Sequence, residues 1–289
     1  MTPHLKPART PDLQQQVLSL VLRVGLFVLI VIMSWIVLPV LLYPLVDYYA
    51  SAALSAFGSG SIANAITFRI YERSSLVEAG LEWTPAARRN LVLGVGLGAG
   101  FGLLIVLVLM AFGLAGFEPS GPVSWPSLAF VTIALMFGAV GEELMFRGYA
   151  FQLLSSKIGN FATLFPMAIV FGAAHMSNVG ATPLSVVNTI GWGWLLGYAT
   201  LKSRGLWFPI GIHYGWNWIL PILGANVSGF KMGVIGLRLN AAETSWAGGS
   251  YGPEASLVLT LLLPGLFYLL RRMPIAPQRA QLLSGLENG

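Results

Sequence analysis

The chain lacks cysteine altogether and has few charged residues. Of its 289 residues none is Cys, 9% are Asp, Glu, Lys or Arg, and 56% are hydrophobic. Without Cys there is no disulfide, no thiolate metal ligand and no cysteine nucleophile. A soluble globular domain carries about 25% charged residues, so this composition is typical of a protein that crosses a membrane several times.

The net charge of +5 does not indicate a nucleic-acid-binding protein. The 16 Lys and Arg residues lie between apolar runs, whereas a nucleic-acid interface needs a dense basic patch. This placement is better explained as an orientation signal in a membrane. We therefore expect the lipid bilayer as a partner, and no nucleic acid.

Apolar runs long enough to cross a bilayer, about 20 residues each, recur along the chain. They predict an all-α polytopic protein with about eight transmembrane helices in a single bundle, at 17–46, 50–68, 90–115, 126–152, 159–177, 183–201, 206–224 and 254–270. The second run is weak, because "SAFGSGSIANA" is small and polar for a helix facing lipid. A re-entrant or deeply buried segment is the alternative there. The first run is too long for a signal peptide.

Basic residues alternate along the chain in a way that predicts topology. The segments "FEPSGPVSWP" and "HMSNVGATP" contain no Lys or Arg, whereas the longer 225–253 loop contains two. Eight crossings then place both termini in the cytoplasm by the positive-inside rule. We expect a cytoplasmic tail at 1–16, the bundle at 17–272 and a flexible cytoplasmic tail at 273–289. The compact bundle favours the plasma (inner) membrane of a prokaryote.

Most strongly polar side chains within the apolar runs fall into three short groups. These groups are "EELMFR" with Glu142, Glu143 and Arg147, "FGAAHMSN" with His175 and Asn178, and "HYGWN" with His213 and Asn217. A charge in hydrocarbon is costly, so each such residue is a functional hypothesis.

Helical spacing predicts which of these side chains meet. Glu143 and Arg147 are four residues apart and share a helix face, so they can form an ion pair. Glu142 is rotated by about 100° from Glu143 and has no partner in its own helix. His213 and Asn217 also share a face. We expect the three helices to turn these faces towards one polar cavity, because outward-facing charges would meet lipid.

Structural roles are the alternative for each group taken alone. Glu143 and Arg147 can be an ion pair that only holds the fold, His213 can bond a backbone carbonyl, and Asn217 can link two helices. These roles together leave Glu142 unexplained. A catalytic site is therefore the better interpretation of the set.

The chemistry available is hydrolysis by an activated water. Two histidines and a carboxylate can bind Zn²⁺ and leave a position for water, or Glu142 can act directly as general base. Asn217 can donate to the developing oxyanion. The match to GxSxG at Ser250, "GGSYG", lies in a loop and lacks the strand–turn–helix that this motif needs. The residues leave the metal and metal-free routes open.

The motifs EExxxR, FxxxH and HxxxN, in this order on three apolar segments, resemble the signature of the CPBP intramembrane protease family (CAAX prenyl protease and bacteriocin-processing proteins, or ABI family). The resemblance covers 126–224; the other spans carry no motif. It implies a membrane peptidase in which Glu142 activates water and Glu143 mainly fixes Arg147. His175 and His213 would be metal ligands or direct catalytic partners, and Asn217 would hold the oxyanion. The HExxH helix of ordinary zinc proteases is absent.

The leading hypothesis is an intramembrane endopeptidase that cuts a membrane-associated or lipid-modified protein or peptide. The alternatives are a catalytically silent adaptor or immunity protein of the same fold, and a proton-coupled transporter, since buried Glu, His and Arg also mark proton relays. One conflict remains within the predicted topology. The run 159–177 places His175 near the outer membrane surface, whereas Glu142 lies deeper or towards the cytoplasm.

Overall fold

The structure is a computed structural model that describes residues 12–232 and 234–284. The terminal residues 1–11 and 285–289 of the two predicted tails lie outside this range. The helices are α1 (Leu13–Leu42), α2 (Tyr48–Thr67), α3 (Pro85–Ala111), α4 (Trp125–Arg147), α5 (Tyr149–Ile158), α6 (Asn160–Ala174), α7 (Pro183–Ser203), α8 (Trp207–Ile222) and α9 (Leu257–Arg272). Two strands are present, β1 (Ala115–Pro119) and β2 (Leu237–Ala241).

Each of the eight predicted runs contains a helix, and the protein is of the helical membrane class. Within the described part of the chain, three stretches are long and apolar enough to cross a membrane: α1, α3, and α4 continued by α5 over Trp125–Ile158. Helix α6 is apolar but shorter. Eight complete crossings therefore remain a prediction.

The prediction of one helix over 126–152 is wrong at Gly148, where α4 ends and α5 begins. The buried side chain of Asn64, from α2, occupies the break. Its Nδ2 donates to the Leu144 carbonyl at 2.8 Å, and its Oδ1 accepts from the Tyr149 N–H at 2.7 Å. Asn64 thus satisfies backbone groups that the interrupted helix leaves without partners.

Helix α2 is continuous, and its small polar residues face the protein. Ser51, Ser55 and Ser59 are buried. A Cβ placed on Gly60 would lie 2.6 Å from the carbonyl oxygen of Gly141 in α4, so the two backbones are in close contact. Small residues allow such an approach between helices in lipid, which explains why this run has low hydropathy.

Helices α3 and α8 also approach closely through glycine. A Cβ on Gly94 would lie 2.5 Å from the Phe208 carbonyl oxygen, and one on Gly211 would lie 3.0 Å from the Cα of Gly94. Only glycine fits at such a crossing. This packing fixes α8, which carries His213, in the middle of the molecule.

The predicted flexible tail at 273–289 is packed onto the bundle over its described part, residues 273–284. The N–H of Gln278 donates to the Ser203 carbonyl at 2.6 Å, and the N–H of Ala280 donates to the Arg204 carbonyl at 3.0 Å. Ala280 and Leu283 are completely buried. These contacts occupy backbone groups at the end of α7, so the segment does not behave as a loose tail.

A small antiparallel ribbon corrects the all-α prediction. Strands β1 and β2 pair with Phe117 opposite Leu239. On its exposed face Glu118 accepts hydrogen bonds from Arg238 at 2.8 Å and Asn240 at 2.7 Å, and these bonds lower the pKa of Glu118. The strands come from the connections before α4 and after α8, which the sequence predicts to be loops.

Candidate active site

Glu143, Arg147 and His213 form a buried network in the centre of the bundle. Arg147 Nη1 lies 3.1 Å from Glu143 Oε1, and Arg147 Nη2 donates to the Gly193 carbonyl at 3.1 Å. His213 Nδ1 lies 2.8 Å from the same Oε1 of Glu143. The arginine also lies over the ring of Phe171, with Cζ 4.3 Å from its centroid. This network joins α4, α6, α7 and α8.

Glu142 has different surroundings from its neighbour. Its Oε2 lies 3.7 Å from the Nε2 of His175 and 3.7 Å from the Nε2 of His213. These separations exceed a direct hydrogen bond and are suited to a bridging water. The side chain of Glu142 is 25% exposed, whereas that of Glu143 is 0% exposed. The two adjacent carboxylates therefore have distinct environments.

Both histidines present their Nε2 to Glu142 because Nδ1 is already engaged. His175 Nδ1 lies 2.8 Å from the carbonyl oxygen of Phe171, which can only accept, so Nδ1 carries the proton. His213 Nδ1 donates to the Glu143 carboxylate by the same reasoning. In the neutral form each Nε2 then holds a free lone pair that can accept a proton.

The short helix α6 brings His175 to the level of Glu142. The sequence predicts a span over 159–177, but α6 ends at Ala174, and His175 is the residue that follows it. Helix α5 precedes α6 in the chain, and Gly159, with φ of +93°, forms the turn between the two helices. The predicted end at 177 is three residues too late, and the separation of 3.7 Å between His175 Nε2 and Glu142 Oε2 shows that the two side chains meet.

A large apolar cavity of about 580 Å³ opens beside Glu142. Its walls come from α1, α2 and α4, and the segment 227–232 after α8 lines it as well. Apolar residues on these helices include Val31, Ile32, Trp35, Ile36, Ala52, Ala53, Ala56, Leu135 and Met145. The 225–253 loop, predicted to be a possible cover on the outer side, contributes Val227, Ser228, Phe230 and Met232.

A second cavity, of about 50 Å³, lies on the other side of Glu142 and is mainly polar. We call it the polar chamber; it is lined by Glu142, Phe171, His175, Thr189, Trp192, Leu196, His213, Trp216, Asn217, Ser228 and Glu254. Four of these residues, Glu142, His175, Asn217 and Ser228, also line the large cavity. Three catalytic candidates, Glu142, His175 and Asn217, therefore stand at the junction of the two cavities, and His213 lines the polar chamber alone. Neither cavity is lined by Glu143.

Glu254 is the main site residue that sequence reasoning missed. It is buried, its Oε1 accepts from Trp216 Nε1 at 3.0 Å, and its Oε2 accepts from the backbone N–H of Ser228. Glu254 could have been identified from the sequence because it is the lone charged residue in the apolar run 254–270. Asn178, from the second polar group, lies at the rim and is bonded to Tyr251.

A zinc site needs at least three ligating side chains directed at one point. Among residues 12–232 and 234–284, no three His, Asp or Glu side chains are placed so as to hold a metal ion together. Glu142 Oε2 lies 3.7 Å from the Nε2 of each histidine, but the three groups are not arranged around a common point as a bound metal ion requires. The residues do not fit a zinc site, and no catalytic step below is routed through a metal.

Comparison with known proteins gives a match to the family model described as type II CAAX prenyl endopeptidase Rce1-like, over residues 123–219. This segment is about a third of the chain and contains Glu142, Glu143, Arg147, His175, His213 and Asn217. No curated protein and no solved structure matches the chain. The resemblance of the three polar motifs to the CPBP proteases is confirmed, because residues 123–219 match an Rce1-like endopeptidase domain.

Proposed function

We propose that the protein is an intramembrane endopeptidase that hydrolyses a peptide bond of a membrane-associated or lipid-modified protein. One observation carries the proposal: Glu142 lies at the junction of an apolar and a polar cavity, 3.7 Å from the free Nε2 of two histidines. The family match supports a peptidase. A silent adaptor would not need this arrangement of unpaired bases at a cavity.

In the proposed mechanism a water molecule lies between Glu142 Oε2 and the two Nε2 atoms. Glu142 takes a proton from the water molecule while the water oxygen attacks the scissile carbonyl carbon. Asn217, one helical turn from His213, donates to the oxyanion that forms. The proton then passes to the leaving nitrogen, from Glu142 directly or by way of a histidine, and the C–N bond breaks.

Glu143 and Arg147 would position the site without touching the substrate. Glu143 fixes the tautomer of His213 through Nδ1, as carboxylates do for histidines that must present their other nitrogen. Arg147 neutralises Glu143 and ties it to the Gly193 carbonyl in α7. This assignment widens the role expected for Glu143, which the motif alone limits to fixing Arg147.

The large cavity supports a substrate with an apolar segment or lipid chain. Its wall is built mainly from aliphatic and aromatic side chains, and concave apolar pockets of this size bind apolar ligands. Its inner end is formed by Glu142, His175 and Asn217. A lipid group held against α1 and α2 would therefore place an adjoining peptide bond near the carboxylate.

For the membrane arrangement we propose eight crossings with both termini in the cytoplasm, in the inner membrane of a prokaryote. The distribution of Lys and Arg supports this orientation. The ribbon β1–β2 and the 225–253 loop would then lie on the outer side.

The test is cleavage of a lipid-modified reporter peptide by purified protein in nanodiscs, beside the same peptide without lipid. We expect wild type to cleave the lipid-modified peptide faster and the Glu142→Gln variant to cleave neither. A well-folded wild type that binds the peptides but cleaves none would favour the adaptor alternative.

Metal dependence is tested on the same preparations. Because the donor set does not fit zinc, we expect activity to survive a strong chelator and metal analysis to give less than stoichiometric zinc. Stoichiometric zinc in wild type that is lost in the His175→Ala/His213→Ala double variant would contradict this.

A further inference from the structure

We propose that the polar chamber is a water-binding site that supplies the hydrolytic water to Glu142. This inference rests on the proposed peptidase function and adds to it a separate route for the second substrate, water. An apolar substrate that fills the large cavity excludes water from that side. A hydrolase built in this way therefore needs water held elsewhere, in contact with the same carboxylate.

The size and lining of the chamber suit ordered water. A water molecule needs about 10–15 Å³ of cavity space and two to four polar partners. The chamber, at about 50 Å³, has room for more than one molecule. Its lining includes two carboxylates, two histidines, an asparagine and a threonine. A cavity with this lining would be costly to leave dry, because buried polar groups need partners.

The other lining residues of the chamber offer both acceptors and a donor. Each carboxylate oxygen of Glu254 accepts one hydrogen bond from the protein, which leaves further lone pairs on both. Thr189 Oγ1 donates to the Ser185 carbonyl and can still accept. Trp192 Nε1 is buried and has no acceptor among the described residues. These groups can hold water in the chamber.

Glu254 also maintains the partition between the two cavities. Ser228 lines both of them and has a left-handed backbone, with φ of +50°. Its N–H is held by Glu254, which is held in turn by Trp216 of α8. A non-glycine residue in this conformation needs support from its surroundings. We therefore assign Glu254 as a positioning residue that keeps Ser228 between the apolar and polar spaces.

The test for water is radiolytic hydroxyl-radical footprinting with mass spectrometry, because radicals formed from bound water oxidise the side chains beside it. Trp216 is 2% exposed but lines the chamber, and Trp246, 51% exposed and outside both cavities, serves as the internal reference. We expect measurable oxidation of Trp216 in full-length wild type. In Thr189→Leu, where the larger side chain fills the chamber, Trp216 oxidation should fall at least fivefold while Trp246 is unchanged.

Kinetics give the second readout. Filling the chamber should lower kcat of Thr189→Leu by about tenfold, equivalent to about 1.4 kcal/mol, with KM within twofold, because the apolar cavity is untouched. Trp192→Phe removes the N–H donor together with part of the buried ring that packs on Trp216, and the lost hydrogen bond should lower kcat by about threefold. Its matched control is Trp194→Phe on the exposed face of the same helix, which should retain wild-type kcat.

The outcomes separate this inference from the proposed function. If Trp216 is not oxidised in wild type, or is oxidised equally in Thr189→Leu, the water site is overturned whatever the activity. If the footprint behaves as expected but wild type cleaves no peptide, the proposed function fails while the water site stands. Should Thr189→Leu not fold, the unchanged kcat of Trp192→Phe together with an unchanged Trp216 footprint would refute the proposal.

Discussion

The candidate site and one other polar cluster among the apolar helices differ in what surrounds them. The candidate site lies around Glu142. The other cluster, which we call the anchor cluster, consists of Arg23, Glu72, Tyr71 and Tyr149. Arg23 pairs with Glu72 and donates from Nε to Tyr149 Oη at 2.8 Å, and Tyr149 Oη donates to Glu72 at 2.8 Å. None of these four residues lines the large cavity or the polar chamber.

This difference in surroundings indicates a structural role for the anchor cluster and a chemical role for the candidate site. In the anchor cluster each charge meets an opposite charge or an aromatic face, with Arg23 Cζ 5.2 Å from the Tyr71 ring centroid. The cluster links α1, the helical turn after α2 (Phe68–Glu72) and the start of α5, and its residues line neither cavity. At Glu142 the nearest basic groups stand at 3.7 Å, with cavities on both sides. Buried polar residues thus indicate a catalytic site when they also line a cavity that can hold a ligand.

Glu142→Gln is the change with the largest expected effect on activity. The amide keeps the size of the side chain but cannot act as a base, so kcat should fall by about 10³-fold, within the range for loss of a general base. Because Glu142 is partly exposed and outside the Arg147 pair, the thermal midpoint should stay close to that of wild type. Both are measured on the purified protein with the reporter peptide. Normal activity of this variant would rule out the mechanism.

Arg147→Ala should impair folding rather than chemistry alone. Removing the guanidinium leaves the carboxylate of Glu143 buried without its cation, which typically costs about 3–5 kcal/mol. We expect a loss of monodisperse protein on size exclusion in detergent. The double variant Glu143→Gln/Arg147→Met removes both charges and should recover part of the yield, although its activity should stay low because a neutral amide replaces the carboxylate that holds His213 Nδ1. Full yield of Arg147→Ala would contradict the structural role.

Arg23→Met tests the anchor cluster. The loss of charged hydrogen bonds to Glu72 and Tyr149 should destabilise the protein by about 1–3 kcal/mol. The specific activity of the folded fraction should remain within twofold of wild type, because the cluster does not reach either cavity. Thermal unfolding and peptide cleavage on one preparation measure both quantities. A large fall in kcat with unchanged stability would show that the comparison between the clusters is wrong.

Much of the fold follows from the sequence because apolar length and polar spacing are local properties. The eight runs each contain a helix, and the spacing of Glu143 and Arg147 predicts the contact present between them. The break at Gly148 does not follow, because it depends on Asn64 from another helix. The packing of segment 273–284 could not be predicted for the same reason, since its hydrogen-bond partners lie at the end of α7, far away in the sequence.

The motif residues of the candidate site could be predicted from the sequence, but the other residues that line its cavities could not. Glu142, His175, His213 and Asn217 stand out as polar groups in apolar runs. Glu254, Trp192 and Thr189 join them only through the tertiary fold, and two of these look like ordinary helix residues. The ribbon β1–β2 was equally hidden, because its strands pair across a long sequence separation. Sequence reasoning therefore finds the reacting groups more readily than the cavities that make them reactive.

The smallest expected effect concerns Tyr251, at the rim of the candidate site. Burial, together with the nearby charge of Glu254, raises the pKa of Tyr251 from 10 to about 12. The folded state thus favours the neutral phenol. Its contribution to stability is fully present below pH 10, where the unfolded chain also keeps the proton. It is lost as the pH rises from 10 to 12, because the unfolded chain ionises first.

Tyr251→Phe should therefore reduce the fall in thermal midpoint between pH 10 and 12 by a few degrees relative to wild type. The variant Tyr268→Phe, at an exposed position in α9, is the matched control and should follow the wild-type curve. If Tyr251→Phe and wild type lose stability in parallel, Tyr251 ionises freely at the rim. The segment from Ser228 to Glu254 would then be open to solvent on that side, and the separation between the candidate site and its surroundings would be weaker than the packing implies.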